Sequence, residues 1–125
     1  MVKHIPVSIG ELIDKITILE IKQRNIANPE QLENVERELS MLLPLDTENI
    51  IGTDLWLELS TVNEKLWEVE DELRKLEQQN DFGGQFVTNA RSVYKLNDQR
   101  AAIKRQINLK YGSSLIEEKQ YVQYA

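Results

Sequence analysis

The feature that most constrains this chain is a run of leucine and valine residues at alternating spacings of four and three. Over about residues 53–79 the pattern continues for three heptads without a polar interruption, through Leu55, Leu59, Val62, Leu66, Val69, Leu73 and Leu76. On an α-helix these residues form one apolar stripe, and the spacing is that of two helices packed side by side. The segment therefore predicts a long helix that needs another helix as its neighbour.

That neighbour follows directly along the chain. The turn-forming stretch NDFGG at residues 80–84 leads into a second long periodic segment, about 84–111, which ends before Gly112. Glycine is typical of this place because it adopts the left-handed conformation that ends many helices. Two helices of about 27 residues joined by a short turn make an antiparallel αα-hairpin roughly 40 Å long.

Two shorter periodic segments precede the hairpin, at about residues 8–27 and 29–43. The first opens with Ser8 and Glu11 at the spacing of a capping box, and the second has Pro29 at its first helical position. Both features are signals of a helix start, because they satisfy or remove backbone N–H groups that have no partner inside the helix.

The fold class predicted from these four segments is all-α, a long antiparallel αα-hairpin plus two shorter helices, arranged like a four-helix bundle. The length of 125 residues is that of one domain. We therefore expect residues 1–125 to form a single helical domain, with an extended or short helical tail at 113–125. Because one pair of short helices cannot cover both sides of such a hairpin, we expect a homodimer, with a different protein partner as the other possibility.

Composition excludes several classes of function. The chain has no cysteine and one histidine, His4, which removes disulfides and the Ser-His, Cys-His and multi-histidine metal sites. We expect no metal and no cofactor. No stretch approaches the roughly 18 uncharged apolar residues of a membrane span, and the opening MVKHIPVSIGE lacks the features of a signal peptide. The expected location is cytoplasmic, without a membrane partner.

Charge is divided between the two halves of the predicted hairpin. Residues 28–81 hold 15 acidic and 4 basic side chains, whereas residues 82–111 hold 1 acidic and 6 basic ones. This division favours ion pairs between the third and fourth helices. A duplex-binding helix gathers its cations on one side, but at about 100° per residue the cations here scatter around the fourth helix: Arg91, Lys95, Arg100, Lys104, Arg105 and Lys110. No nucleic-acid partner is expected.

The face of the first helix opposite its seam combines charged and large apolar residues. It carries Glu11, Asp14, Lys15 and Lys22 together with Ile18 and Ile21. If this face is exposed, Glu11 and Lys15 form an ordinary i,i+4 pair. If the tail or a second subunit covers it, the charges must be paired, and they become candidates for a buried network or a site.

A stripe of small and polar residues on the fourth helix also has two interpretations. Its members are Ala90, Tyr94, Asn97, Ala101 and Asn108. Small residues allow another helix to approach closely, and Asn can fix its register. Alternatively, the stripe lines a small polar pocket in which Arg100 or Lys104 anchors an anion. The candidate binding or polar-network residues are therefore Glu11, Asp14, Lys15, Lys22, Tyr94, Asn97, Arg100 and Lys104.

Two enzyme families show a partial resemblance. Glu64, Glu68 and Asp71 share a face, a spacing that resembles the carboxylates of all-α nucleoside triphosphate pyrophosphohydrolases, which hold Mg²⁺ between helices. Ile13 and Asp14 resemble the start of the first-helix signature of all-helical chorismate mutases, which position a dianion with Arg and Lys. In the latter comparison Thr17 stands where the second carboxylate is expected.

A broader resemblance rests on four stretches, IPVSIGELIDKITILEIK, LWEVEDELR, ARSVYKLNDQRAAIKRQIN and GSSLIEEKQY. They resemble a family of small bacterial all-helical proteins of unknown function, marked by the blocks S-x-G-E-L-I-D-K and N-D-x-R-A-x-I-K. The resemblance implies no activity. We predict a binding or assembly module without a catalytic role, and as the alternative a small helical enzyme that acts on an anionic metabolite.

Overall fold

The computed structural model describes residues 1–124, and its regular structure is entirely helical. The four α-helices are α1, Ile9–Asn25; α2, Pro29–Leu42; α3, Asp54–Gln78; and α4, Gly84–Lys110; a 3₁₀ turn, Leu43–Leu45, continues α2. Within the described range no helix is both long and apolar enough to cross a membrane. The predicted all-α fold class, a long hairpin with two shorter helices, is confirmed.

Side chains cap the two shorter helices at their N-termini. Ser8 Oγ accepts a hydrogen bond from the Glu11 amide at 3.0 Å, and Asn28 Oδ1 accepts one from the Glu30 amide at 3.0 Å. Each bond satisfies an amide that has no partner inside its helix. The predicted capping box of α1 is only half formed, because the Glu11 carboxylate bonds to Lys104 of α4 at 2.6 Å.

The core lies at the open end of the hairpin, where α1 packs against each of the other helices. Five apolar side chains there are completely buried: Ile13 and Ile16 of α1, Ile50 of the loop before α3, Leu59 of α3 and Ile107 of α4. α2 packs mainly on α1. The order of layers is therefore α2, then α1, then the α3–α4 hairpin.

The other half of the hairpin has no such cover. No residue of α4 between 84 and 100 is buried, and beyond Leu66 the only buried residue of α3 is Leu76. There the two helices form a projecting arm, near whose tip Phe82 and Phe86 pack edge to face with ring centroids 5.3 Å apart. The four-helix arrangement is thus restricted to the base of the hairpin.

Gly10 sets the distance between α1 and α4. A Cβ atom at this position would lie 2.5 Å from the Lys104 carbonyl oxygen and 2.9 Å from Asn108 Oδ1. Because glycine has no Cβ, its amide can donate a hydrogen bond to Asn108 Oδ1 at 2.6 Å. This close approach brings the charged side chains of the next turn of α1 within reach of α4.

Gly10→Ala should lower the free energy of unfolding by about 1–3 kcal/mol, because the added methyl group has to push two helix backbones apart. Chemical denaturation followed by circular dichroism measures the change. Gly84→Ala is the matched control, since no atom lies within 4 Å of its Cβ position and alanine favours a helix over glycine. Equal stability of Gly10→Ala and the unchanged chain would contradict the close approach.

Candidate functional site

A buried ion pair joins α1 to α4. The Asp14 side chain is 1% exposed. Arg100 Nε donates to Asp14 Oδ1 at 2.9 Å while Arg100 Nη2 donates to Oδ2. Asn63 of α3 donates to Asp14 Oδ1 and to Thr17 Oγ1, both at 2.8 Å. The carboxylate is therefore held from two helices, and its buried charge is both paired and hydrogen-bonded, as its burial requires.

Lys104, one turn further along α4, is surrounded by carboxylates from separate parts of the chain. Its Nζ atom lies 2.6 Å from Glu11 Oε2, 3.8 Å from Asp14 Oδ2 and 3.4 Å from Glu117 Oε2. The Lys104 side chain is 11% exposed, so solvent screens these charges less than it would at the surface. Glu117 belongs to the C-terminal tail, residues 113–124, which has no regular secondary structure.

The surrounding carboxylates keep both cations protonated. The hydrogen bond with Asp14 raises the pKa of Arg100 above its ordinary value, although burial acts in the opposite direction. Burial lowers the pKa of Lys104, but the hydrogen bond with Glu11 and the charges of Asp14, Glu11 and Glu117 outweigh it, so its pKa is also raised. Each side chain therefore carries a positive charge throughout the neutral range.

The tail lies along α4 through contacts that are largely exposed. Arg105 Nη1 is 3.4 Å from Glu118 Oε1, with half or more of each side chain in solvent. The ring of Tyr124 meets that of Tyr94 edge to face with centroids 5.2 Å apart, and a hydrogen bond with Asp98 raises the pKa of Tyr124. Since exposed ion pairs contribute about 1 kcal/mol or less, these contacts hold the tail weakly.

The tail, α1 and α4 enclose a cavity of about 210 Å³. Its almost entirely polar lining consists of Glu11, Asn97, Arg100, Ala101, Lys104, Glu117 and Lys119. Asn97 Oδ1 accepts a long hydrogen bond from Arg100 Nη1 at 3.4 Å. The volume is below the roughly 300–1,000 Å³ of sites for drug-sized ligands, so the cavity suits a small anion or one anionic group of a larger molecule.

The structure brings together most of the predicted candidate residues, namely Glu11, Asp14, Asn97, Arg100 and Lys104. The others lie apart from them. Lys15 is exposed and Lys22 is half-buried, and within residues 1–124 neither has a carboxylate within 4 Å. Tyr94 packs on Tyr124 and is not part of the cavity lining.

The predicted charged face of α1 is covered in part: its Asp14 side lies against the hairpin, Glu11 borders the cavity beneath the tail, and Lys15 is exposed. Asp14 and Thr17 bond to Asn63 of α3, and Ile21, which shares their helix face, is 1% exposed within the chain itself. The two interpretations of the α4 stripe apply to different parts of it. At Asn108 another helix, α1, comes close to α4, whereas Asn97 lines the polar cavity.

The prediction of ion pairs between α3 and α4 is wrong. In the described part of the chain no cation of one helix lies within 4 Å of a carboxylate of the other. The apolar seam brings the two helices together, and their charged residues point away from it. α3 instead pairs Glu64 with Arg24 of α1 at 3.5 Å and Asp71 with its own Lys75 at 3.4 Å.

The carboxylates compared with those of pyrophosphohydrolases do not converge. Glu64, Glu68 and Asp71 are all exposed on α3, and the first and last of them form the ion pairs just described. Among residues 1–124 no three His, Asp or Glu side chains are placed to hold a metal ion together. The geometry therefore adds nothing to that resemblance.

Sequence reasoning missed the groups that complete the site. Thr17 stands three residues after Asp14 and so shares its helix face, a signal that could have marked it as a partner. Asn63 lies beside the apolar seam of α3, where a polar residue often bonds across helices. Glu117 and Lys119 gave no local signal, because their place at the cavity depends on the path of the tail.

The chain belongs to a protein family whose members have no assigned function. A family model, described as a family of unknown function, DUF6165, matches residues 3–124. The match includes all four helices and the tail residues that close the cavity. No curated protein and no solved structure matches the chain. The resemblance to a family of unknown function is thus confirmed.

Asp14→Asn should lower the free energy of unfolding by about 2–4 kcal/mol, because it leaves the half-buried Arg100 without its counter-charge. Asp71→Asn is the matched control, since its pair with Lys75 is exposed and should contribute less than about 1 kcal/mol. A double-mutant cycle of Asp14→Asn with Arg100→Met should show coupling, because either change alone breaks the same pair. Strictly additive losses would show that the two residues act independently.

Proposed function

We propose that this protein is a binding module for a small carboxylate- or phosphate-bearing ligand, held between α1, α4 and the C-terminal tail. Arg100, Lys104 and Lys119 would supply the positive charge, and Asn97 a neutral hydrogen-bonding group. The observation that carries the proposal is the position of Glu117, a carboxylate from the tail that lies at the cavity wall beside Lys104.

Two carboxylates of the cavity wall lie beside Lys104, those of Glu11 and Glu117, and Glu117 is held more weakly. Its oxygen lies 3.4 Å from Lys104 Nζ, whereas that of Glu11 lies at 2.6 Å, and ion pairs of this type are usually about 2.7–2.9 Å long. Half of the Glu117 side chain is exposed. A carboxylate or phosphate group of a ligand can therefore replace Glu117 at small cost.

The charge balance of the cavity also favours this exchange. In the structure the cations Arg100, Lys104 and Lys119 are matched by the carboxylates Asp14, Glu11 and Glu117. If the Glu117 side chain turns out of the cavity while the tail stays in place, Arg100, Lys104 and Lys119 exceed Asp14 and Glu11 by one positive charge, which an anion can neutralise. Asp14 and Glu11 hold Arg100 and Lys104 in fixed positions before any ligand arrives, which reduces the ordering cost of binding.

Glu117→Gln should raise the affinity for inorganic phosphate, pyrophosphate and small dicarboxylates several-fold, because it removes the internal competitor for Lys104. Isothermal titration calorimetry at constant ionic strength measures the affinities, and a thermal-shift assay supports them. A ligand at about 100 times its dissociation constant adds roughly 2.7 kcal/mol to the free energy of unfolding. Lys119→Met should weaken binding of the same anions, because Lys119 lines the cavity and makes no ion pair in the described structure.

Glu118→Gln is the matched control for this experiment. It removes the same charge from the adjacent tail residue, which pairs with Arg105 and is not part of the cavity lining. Its affinities should equal those of the unchanged chain. If no anion of the panel binds either the unchanged chain or Glu117→Gln, the proposal is wrong. Conversion of a bound ligand, followed by NMR, would instead favour the alternative of an enzyme for an anionic metabolite.

A further inference from the structure

The face of the hairpin opposite α1 is open. Between α3 and α4 it contains a groove of about 550 Å³ that has Leu57, Val62, Ala102 and Ile103 among its lining residues. Leu57 is 55% exposed. α1, α2 and the cavity lie on the other side of the hairpin, so within residues 1–124 no helix covers this groove.

Unpaired charges of opposite sign continue the open face toward the arm. At about 100° per residue, Glu68 and Glu72 share the face of α3 that carries Thr61 in the groove, and Arg91 and Lys95 share the face of α4 that carries Ala102. In the described structure none of these four charged residues has an oppositely charged group within 4 Å. By the same measure Lys65 also lies on this face of α3 and Asp98 on this face of α4, so each helix presents charges of both signs.

The acidic and basic groups lie at matching heights on the two helices. Residues at the same height of an antiparallel hairpin have numbers with a constant sum. The groove is lined by α3 residues within 57–62 and by α4 residues within 99–106, so this sum is about 162. By the same relation Glu68 is level with Lys95, and Glu72 is level with Arg91. One chain thus carries, side by side, acidic and basic groups that could each pair with the opposite group of a second copy.

We propose that this open face binds a second copy of the chain, with α3 of each subunit against α4 of its partner and both hairpins pointing the same way. A two-fold axis parallel to the hairpin produces this arrangement, and it places each glutamate opposite the cation at the same height on the partner. It also places Lys65 opposite the partner's Asp98. A two-fold axis across the hairpin would instead place α3 against α3, where no register pairs all of these charges with opposite ones. Charge complementarity therefore favours the first arrangement.

The size of the face agrees with a stable dimer. A hairpin roughly 40 Å long and two helices, about 20 Å, wide offers about 800 Å², which is the usual area per partner in a specific interface. The groove supplies an apolar patch at the base of the hairpin, and the charged residues extend the face toward the arm, so the interface would combine apolar and polar contacts as most protein interfaces do. The proposal is independent of ligand binding, because the cavity lies on the other side of the hairpin.

Two charge-reversed variants test the pairing of α3 with α4. Glu68→Lys alone places two lysines together at each contact between α3 and the partner's α4, and Lys95→Glu alone places two glutamates together there. Each variant should dimerise at least about tenfold more weakly than the unchanged chain, by analytical ultracentrifugation.

When the two variants are mixed, they should form a heterodimer in which one of the two contacts joins the two altered residues and the other joins the two original ones. Both contacts are then again of opposite charge, so the affinity should be near normal. Glu33→Lys on the exposed face of α2 is the matched control and should dimerise normally.

The direction of the hairpins can be measured with one spin label, because the chain has no cysteine of its own. A label on Gln85→Cys, near the tip of the arm, should give an intersubunit distance of about 15–30 Å by electron paramagnetic resonance when the hairpins point the same way. Opposed hairpins would give about 50 Å, which would overturn the arrangement. A monomeric mass at about 100 μM would overturn the dimer itself, and failure of the mixed variants to associate would overturn the pairing of Glu68 with Lys95.

Discussion

The buried pair of Asp14 and Arg100 constrains how α1 lies on the hairpin. A carboxylate that is 1% exposed is tolerated only because Arg100 and Asn63 bond to it from two different helices. The position of α1 across the hairpin is thereby fixed, since one carboxylate is held from α3 and from α4 at the same time. Gly10, one turn earlier, allows the two backbones to come close enough for that contact.

The two proposed surfaces lie on opposite sides of the hairpin. On the side of α1, the cations that stabilise the buried carboxylate also line the cavity beneath the tail, so the proposed binding role would use Arg100 and Lys104 in addition to their structural role. On the opposite side the hairpin presents an apolar groove with charges that no part of the described chain neutralises. The proposed ligand site and the proposed assembly surface therefore have no lining residue in common.

The two proposals rest on different kinds of charge. At the cavity the charges are partly buried and fixed, so that exchanging one weakly held carboxylate, Glu117, changes the balance of a small space. On the open face they are exposed and individually weak, and they act mainly by deciding which arrangement of two copies is repulsive. Salt should therefore affect the choice of partner more than it affects the integrity of the fold.

The sequence by itself determined the helices and their order, because the seam from Leu55 to Leu76 and the turn at 80–84 are local signals with a direct physical meaning. It also marked Asp14, Asn97 and Arg100 as residues that packing alone did not explain. Only the tertiary structure decided their partners: the periodicity defines helix faces, but not which face meets which helix. In the tertiary structure α1 faces the hairpin, α3 and α4 form no ion pairs with each other, and Glu117 of the tail lies beside Lys104. Such contacts join residues far apart in the chain, and they depend on the path of the whole backbone.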